Sequence, residues 1–191
     1  MNRPDVRYQR SRTAIVEASI QLLLSNPDAS MSEIALAAGV GRATLYRHFE
    51  TRDDLIKALT LLCLEETDEV LLPLKEQGLT GLQAILESIK VIVPMAERFR
   101  FLMSLASIGA TDETVNRAYQ RQLNELTGYV EQAKAAGDIS ESLPVDWVVA
   151  TYDALLNAAW TLVQWERATP EEATRLFLRT FRASLAPDIN D

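Results

Sequence analysis

The chain has little of what covalent or metal chemistry requires: 191 residues contain one cysteine and one histidine. Cys63 has no partner for an intramolecular disulfide, and its place in an apolar run points to a buried, inert thiol. A single histidine rules out a histidine metal cluster and leaves no Cys–His nucleophile pair. Carboxylates are plentiful, yet none stands apart from solvated helix faces, and no Gly-rich phosphate or dinucleotide loop occurs. No catalytic residue, metal ligand or cofactor is therefore expected, and an enzyme is a remote alternative.

Glycine and proline are also scarce, at seven each, in a chain that is 48% hydrophobic and 24% charged. That balance fits a helix-rich globular protein rather than a disordered one. No apolar stretch approaches the ~20 residues needed to span a bilayer. The arginine-rich start, Met1 to Arg12, is followed by no apolar signal segment. The expectation is a cytoplasmic protein without a membrane partner.

The net charge of −8 argues at first against a polyanionic partner, since binding to nucleic acid rests on cations that neutralise phosphates. Its distribution reverses the inference. Residues 1 to 57 hold eight Lys/Arg against seven Asp/Glu, and the remainder eleven against twenty. Two segments with different electrostatic roles follow, 1–57 and 58–191.

Helical periodicity runs through the chain, with no strand alternation and no internal repeat. Residues 11 to 25 place Ile15, Ala18, Ile20, Leu22 and Leu23 on one helix face, and Asn26-Pro27-Asp28 ends the run. Ser30-Met-Ser-Glu33 is a capping box opening a short second helix to about Ala38. Gly39 ends that helix, and Gly41 to Phe49 forms a third. Thr51-Arg-Asp-Asp54 is a further capping box. It opens a long fourth helix with Leu55, Ile56, Leu59 and Leu62 inward and Pro73 at its end, joining the two domains. Five more helices are expected at about 80–93, 97–107, 111–136, 145–166 and 170–185. The last starts on Thr169-Pro170-Glu171-Glu172, a cap with proline at the first helical position. The fold class is thus all-α, with about nine helices.

Two short helices about a tight glycine turn make a helix-turn-helix, whose second helix fits the major groove of DNA. On the third helix Leu45 and Phe49 share a face that points back at Ile34 and Ala38, while Ala43, Thr44 and Arg47 point away, flanked by Tyr46. Arg47 can pair with guanine O6 and N7, Thr44 can meet a base edge or a thymine methyl, and Ala43 permits close approach. Arg42, Tyr46 and His48 lie where phosphates are expected, and Arg52 opens the fourth helix. Arg3, Arg7, Arg10 and Arg12 form a basic arm that either reaches DNA or serves as a solubilising tail.

The segment Glu33-Ile34-Ala35, Ala38-Gly39-Val40-Gly41-Arg42-Ala43-Thr44-Leu45-Tyr46-Arg47-His48-Phe49-Glu50-Thr51-Arg52 closely resembles the DNA-binding signature of the TetR family, whose Leu-Tyr-x-His-Phe core is highly specific. The resemblance covers about residues 11 to 60. It implies that Arg42, Thr44, Tyr46 and His48 contact DNA and that Arg52 touches phosphate. Gly41 stands where the family often has serine, and Ala43 where it often has glycine. The resemblance further implies a homodimer, operator DNA as partner, a ligand domain in the C-terminal part and, as the usual sense of regulation, repression.

Within 58–191 the large apolar and aromatic residues of an expected ligand pocket are Met95, Phe99, Leu102, Met103, Tyr119, Leu123, Leu126, Tyr152 and Trp160. Asn157 and Tyr152 are the polar groups that would orient a small apolar or aromatic effector. The resemblance also implies that the eighth and ninth expected helices, 145–166 with Ala150, Ala154, Ala158 and Ala159 and 170–185 with Leu176, Phe177, Phe181 and Leu185, form a four-helix bundle with their symmetry mates. A DNA-binding dimer without an effector pocket, constitutive or controlled by a protein partner, is the alternative.

Overall fold

The computed structural model describes residues 3–95 and 112–185, with side chains from Tyr8 onward. Among these residues the protein is all helical: α1 (Arg3–Ser25), α2 (Met31–Ala37), α3 (Arg42–His48), α4 (Arg52–Glu76), α5 (Gly81–Ile92), a 3-10 turn (Val93–Met95), α6 (Glu113–Ala135), α7 (Val145–Gln164) and α8 (Pro170–Ser184). The helix expected at 97–107 lies outside the described residues.

Three capping boxes read from the sequence set three helix starts. At α2 the Glu33 amide donates to Ser30 Oγ (3.3 Å) and the Ser30 amide to Glu33 Oε2 (2.8 Å). At α4 Thr51 and Asp54 exchange the same pair of bonds, each 3.0 Å. At α8 Thr169 and Glu172 do so at 2.9 and 3.2 Å, with Pro170 in the first turn. Each box satisfies amides that a helix start leaves without intrahelical partners.

Two expected boundaries move. The basic arm is not separate from the first helix, because α1 already begins at Arg3. Arginine is a good helix former, and Pro4 falls in the first turn, where its missing amide costs little. The fourth helix does not stop at Pro73. It continues to Glu76, and the stop comes from Gly78, whose φ of +71° lets the Leu79 amide fold back onto the Leu74 carbonyl (3.4 Å).

The chain divides into two compact units at Cys63/Leu64, six residues beyond the expected boundary at 57. Among the described residues, 112–115 group with the first unit and 116–185 with the second. The first unit packs α1, α2, α3 and the start of α4 around Ile15, Ile20, Leu23, Ile34, Leu45, Leu55, Ile56 and Leu59, none more than 1% exposed. Cys63 is fully buried in the same core. Lys57 and Asp112 close an ion pair at its edge (2.8 Å), and this partner holds the Asp112 carboxyl below the usual carboxylate range. The second unit has its own core, in which α5, α7 and α8 bring together Ile85, Ile89, Trp160, Phe177 and Phe181. Gly81 opens α5 at φ +55°, and a Cβ there would lie 3.4 Å from the Ala133 amide nitrogen. A side chain at 81 would thus meet α6 as well as the wrong backbone region.

Candidate nucleic-acid interface and ligand cavity

The α2–α3 turn is short because Gly39, at φ +63°, reverses the chain while the Val40 amide bonds the Ala35 carbonyl (3.0 Å). This fixes α3 against α2 through Leu45 (fully buried), Phe49 (5% exposed) and Ile34. The opposite face carries Arg42, Ala43, Tyr46 and Arg47, all exposed, with Thr44 half-buried beside them. The helix wheel read from the sequence therefore describes the observed helix: apolar groups inward, two guanidiniums and a phenol outward.

Two expected contact residues are differently engaged. His48 is half-buried. Its Nε2 lies 2.8 Å from Ser11 Oγ on α1, and its ring packs on Tyr8 with centroids 4.1 Å apart. Burial, together with the nearby Arg47 and Arg12 charges, lowers its pKa from the ordinary imidazole value. The His48 ring thus pins α3 to α1 in a neutral form. Arg52 turns back rather than outward: Nε donates to the Ala29 carbonyl (3.3 Å), and a terminal nitrogen to the Pro27 carbonyl. Its guanidinium closes the α1–α2 turn, where proline has left carbonyls without helical partners. The sequence gives no sign of this, since the partners are backbone groups 23 and 25 residues away.

In the second unit α4, α5, α6 and α7 line a partly open cavity of about 140 Å³. Gln122 ties the walls together by donating to the Leu64 carbonyl (2.8 Å) and to Asp68 (3.0 Å), while Arg121 pairs with the same Asp68. Tyr119, Leu123, Leu126 and Tyr152, expected on a pocket, all line it. Trp160 does not; it is buried in the core of the unit, 2% exposed. Asn157 faces outward on α7, exposed, and Met95 sits half-buried on the 3-10 turn, neither among the lining residues. Phe99, Leu102 and Met103 lie outside the described residues. The cavity instead recruits Thr67, Leu71, Leu74 and Lys75 from α4, the helix expected to join the two domains. Their i, i+4, i+7 spacing was the available signal, continuing the apolar stripe past Cys63.

The polar groups of the cavity are few. Ser88 donates its hydroxyl to the Ile85 carbonyl (2.7 Å), which leaves the Tyr152 hydroxyl to donate to Ser88 Oγ at 3.4 Å. Burial pushes the Tyr152 phenol up to about 12, so it remains a neutral donor at physiological pH. Lys75 lies 2.7 Å from Glu125, and Tyr129 donates to the same carboxylate at 3.4 Å. Asp153 also lines the cavity. It keeps accessible surface, yet the apolar surroundings raise its carboxyl above the ordinary carboxylate range.

Among the described residues no group of His, Cys, Asp and Glu is arranged to hold a metal ion, and no helix is long and apolar enough to cross a membrane.

Residues 15–59 match the family model of bacterial regulatory proteins, tetR family. Over 51 residues the chain is 45% identical to the HTH-type transcriptional repressor LfrR of Mycolicibacterium smegmatis, a stretch that makes up 27% of each protein. The sequence match thus spans about a quarter of that relative. The fold likeness extends much further. LfrR in complex with proflavine superposes with a TM-score of 0.75 at 20% identity, over 93% of this chain and 97% of that one. CprB from S. coelicolor A3(2), a TetR family protein, gives 0.77 at 19% identity, over 96% and 92%. Residues 15–59, with the signature on α2 to α4, are thus similar to the DNA-binding part of the tetR family of bacterial regulatory proteins, and the all-helical fold of the described residues is that of the solved TetR-like regulators.

Proposed function

We propose that the protein is a transcriptional repressor that binds a near-palindromic operator as a homodimer and is released by a small ligand. The observation that carries the reading is α3, which holds Arg42, Ala43, Tyr46 and Arg47 exposed on one face while Leu45 and Phe49 anchor the other. Arg47 is the base reader, able to make a bidentate contact with guanine, with Thr44 and Ala43 beside it. Arg42 and Tyr46 contact phosphate and set the register.

Dimerisation is assigned to α7 and α8, the helices expected at 145–166 and 170–185. Trp147 on α7 (62% exposed) and Trp165 just past its end (57%) flank the small, exposed Ala154 and Ala158, and Leu176 on α8 is 49% exposed. An exposed row of small and aromatic groups suits close helix approach in a two-fold bundle. The ligand cavity is supported by the proflavine complex of LfrR, a named repressor of the same fold. One continuous helix, α4, supplies Leu55, Ile56 and Leu59 to the first core and Thr67, Leu71 and Leu74 to the cavity wall. A ligand that prefers one placement of α4 shifts the population of DNA-competent dimers, and by reciprocity DNA weakens ligand binding by the same factor.

The test is selection of binding sites from sheared genomic fragments by the purified protein at a stated salt concentration. Enrichment of one near-palindrome supports the reading, and no enrichment over salt-sensitive background sinks it. Arg47→Ala should cost about 1–3 kcal/mol on the selected site and relax preference at one base pair. An unchanged preference removes Arg47 as the reader.

A further inference from the structure

The hydrogen bond between α1 and α3 has a direction. Ser11 has one hydroxyl proton and donates it to the Tyr8 carbonyl (2.9 Å), so its oxygen faces the His48 ring, 2.8 Å from Nε2, as an acceptor. Nε2 must then carry the imidazole proton. Nδ1 is left as a bare lone pair, buried and without a hydrogen-bond partner among the described residues. A second proton there is opposed by burial and by the Arg47 and Arg12 guanidiniums. The other tautomer would set two lone pairs against each other, and a flipped ring would put a carbon where Nε2 stands. One hydroxyl thus selects one tautomer and one ring orientation.

The place of this bond gives it weight. α3 has seven residues and one fully buried side chain, Leu45, and so short a helix does not hold its shape without tertiary contacts. His48 is its last residue and follows Arg47, the exposed side chain assigned to base reading. Tyr8 packs on the same ring, with centroids 4.1 Å apart. A turn that is already held before DNA arrives loses less freedom on binding.

We propose that Ser11 is a positioning residue for DNA recognition: through His48 it fixes the last turn of α3, and with it the approach of Arg47, without touching DNA itself. This rests on the DNA-binding reading above and adds to it a residue of α1, 37 positions from its partner.

The test is a double-mutant cycle on DNA affinity, read by titrating the full chain into a duplex of the sequence enriched in the genomic selection. Ser11→Ala should weaken binding about fivefold per half-site, the ordering cost of one side chain. Ser11→Thr, which keeps the hydroxyl, should restore it. In a His48→Phe background, which keeps a ring and removes its nitrogens, Ser11→Ala should have no further effect. Nitrogen-15 NMR of the one histidine, at a pH where the ring is neutral, should show the proton on Nε2 in the wild type and a mixture of tautomers in Ser11→Ala. Losses that add in the cycle would mean that Ser11 meets DNA directly and would overturn the positioning role. Unchanged affinity in Ser11→Ala, or a wild-type ring protonated on Nδ1, would overturn it as well, and the wild-type spectrum decides whether or not the variant folds. If the wild type binds no duplex, the DNA-binding reading fails and takes the positioning role with it; if it binds and the cycle is additive, the positioning role fails alone.

Discussion

The two units put their chemistry on opposite sides of their surfaces. In the first, the polar and charged groups stand outward on one seven-residue helix, and its Leu45 points into a closed core. In the second, polar groups face inward on a cavity built from four helices, with residues from Thr67 to Leu156. A surface carried by one helix follows from local sequence, because periodicity alone decides which side chains face out. A cavity follows from how separate helices come together, which no local window contains.

The largest effect that distinguishes the units is the cost of truncating an aliphatic side chain. Leu45→Ala removes a fully buried leucine from a filled core and should cost about 2–5 kcal/mol of stability in chemical denaturation. Leu126→Ala touches a half-buried leucine beside existing space and should cost clearly less, because fewer packed contacts are lost. Equal costs would mean that Leu126 faces no void and that the contrast between the units is false.

The next effect separates two arginines that look alike in the sequence. Arg52 bonds the Pro27 and Ala29 carbonyls, so Arg52→Ala should lower stability by about 1–2 kcal/mol. It should leave the salt dependence of DNA binding almost unchanged. Arg47 is exposed on α3, so its alanine variant should stay within about 0.5 kcal/mol of wild-type stability while altering DNA preference. A flattened salt slope in Arg52→Ala, with stability intact, would return Arg52 to the phosphate contact that its place in the family signature suggests.

These particular residues mark where the sequence was legible. The caps at Ser30, Thr51 and Thr169, the Gly39 turn and the inward Leu45–Phe49 pair were all readable, because each depends on partners within about four residues. Tyr119, Leu123, Leu126 and Tyr152 stood out as pocket candidates because large apolar and aromatic side chains are abundant in the C-terminal helices. Trp160 and Asn157 were expected on the pocket as well, but a helix seen alone does not show which of its faces a neighbour fills. On α7 the core takes Trp160, and Asn157 is left outside. The Arg52 staple and the Lys75–Glu125 pair depend on partners 23 or more residues distant. Pro73 misled because one proline removes a single amide bond without ending the helix, which continues to Glu76.

The smallest effect concerns His48, the single histidine of the chain. Its ring is held between Ser11, Tyr8 and α3, with Nδ1 buried and without a hydrogen-bond partner. Desolvation, then Arg47, then Arg12 lower its pKa in the fold, whereas in the unfolded chain an imidazole titrates near about 6.5. Because the folded value is the lower one, the unfolded chain binds more protons across the window between them, and stability rises with pH there. The contribution is whole above about 6.5 and is lost as pH falls through that value toward the folded one. The melting temperature should therefore drop between neutral and mildly acid pH, and His48→Gln should reduce that drop. The imidazole NMR titration of this one histidine reads the folded pKa directly. A midpoint above the free-imidazole value would show His48 held as a cation, which fits a contact with phosphate better than a buried link between α3 and α1.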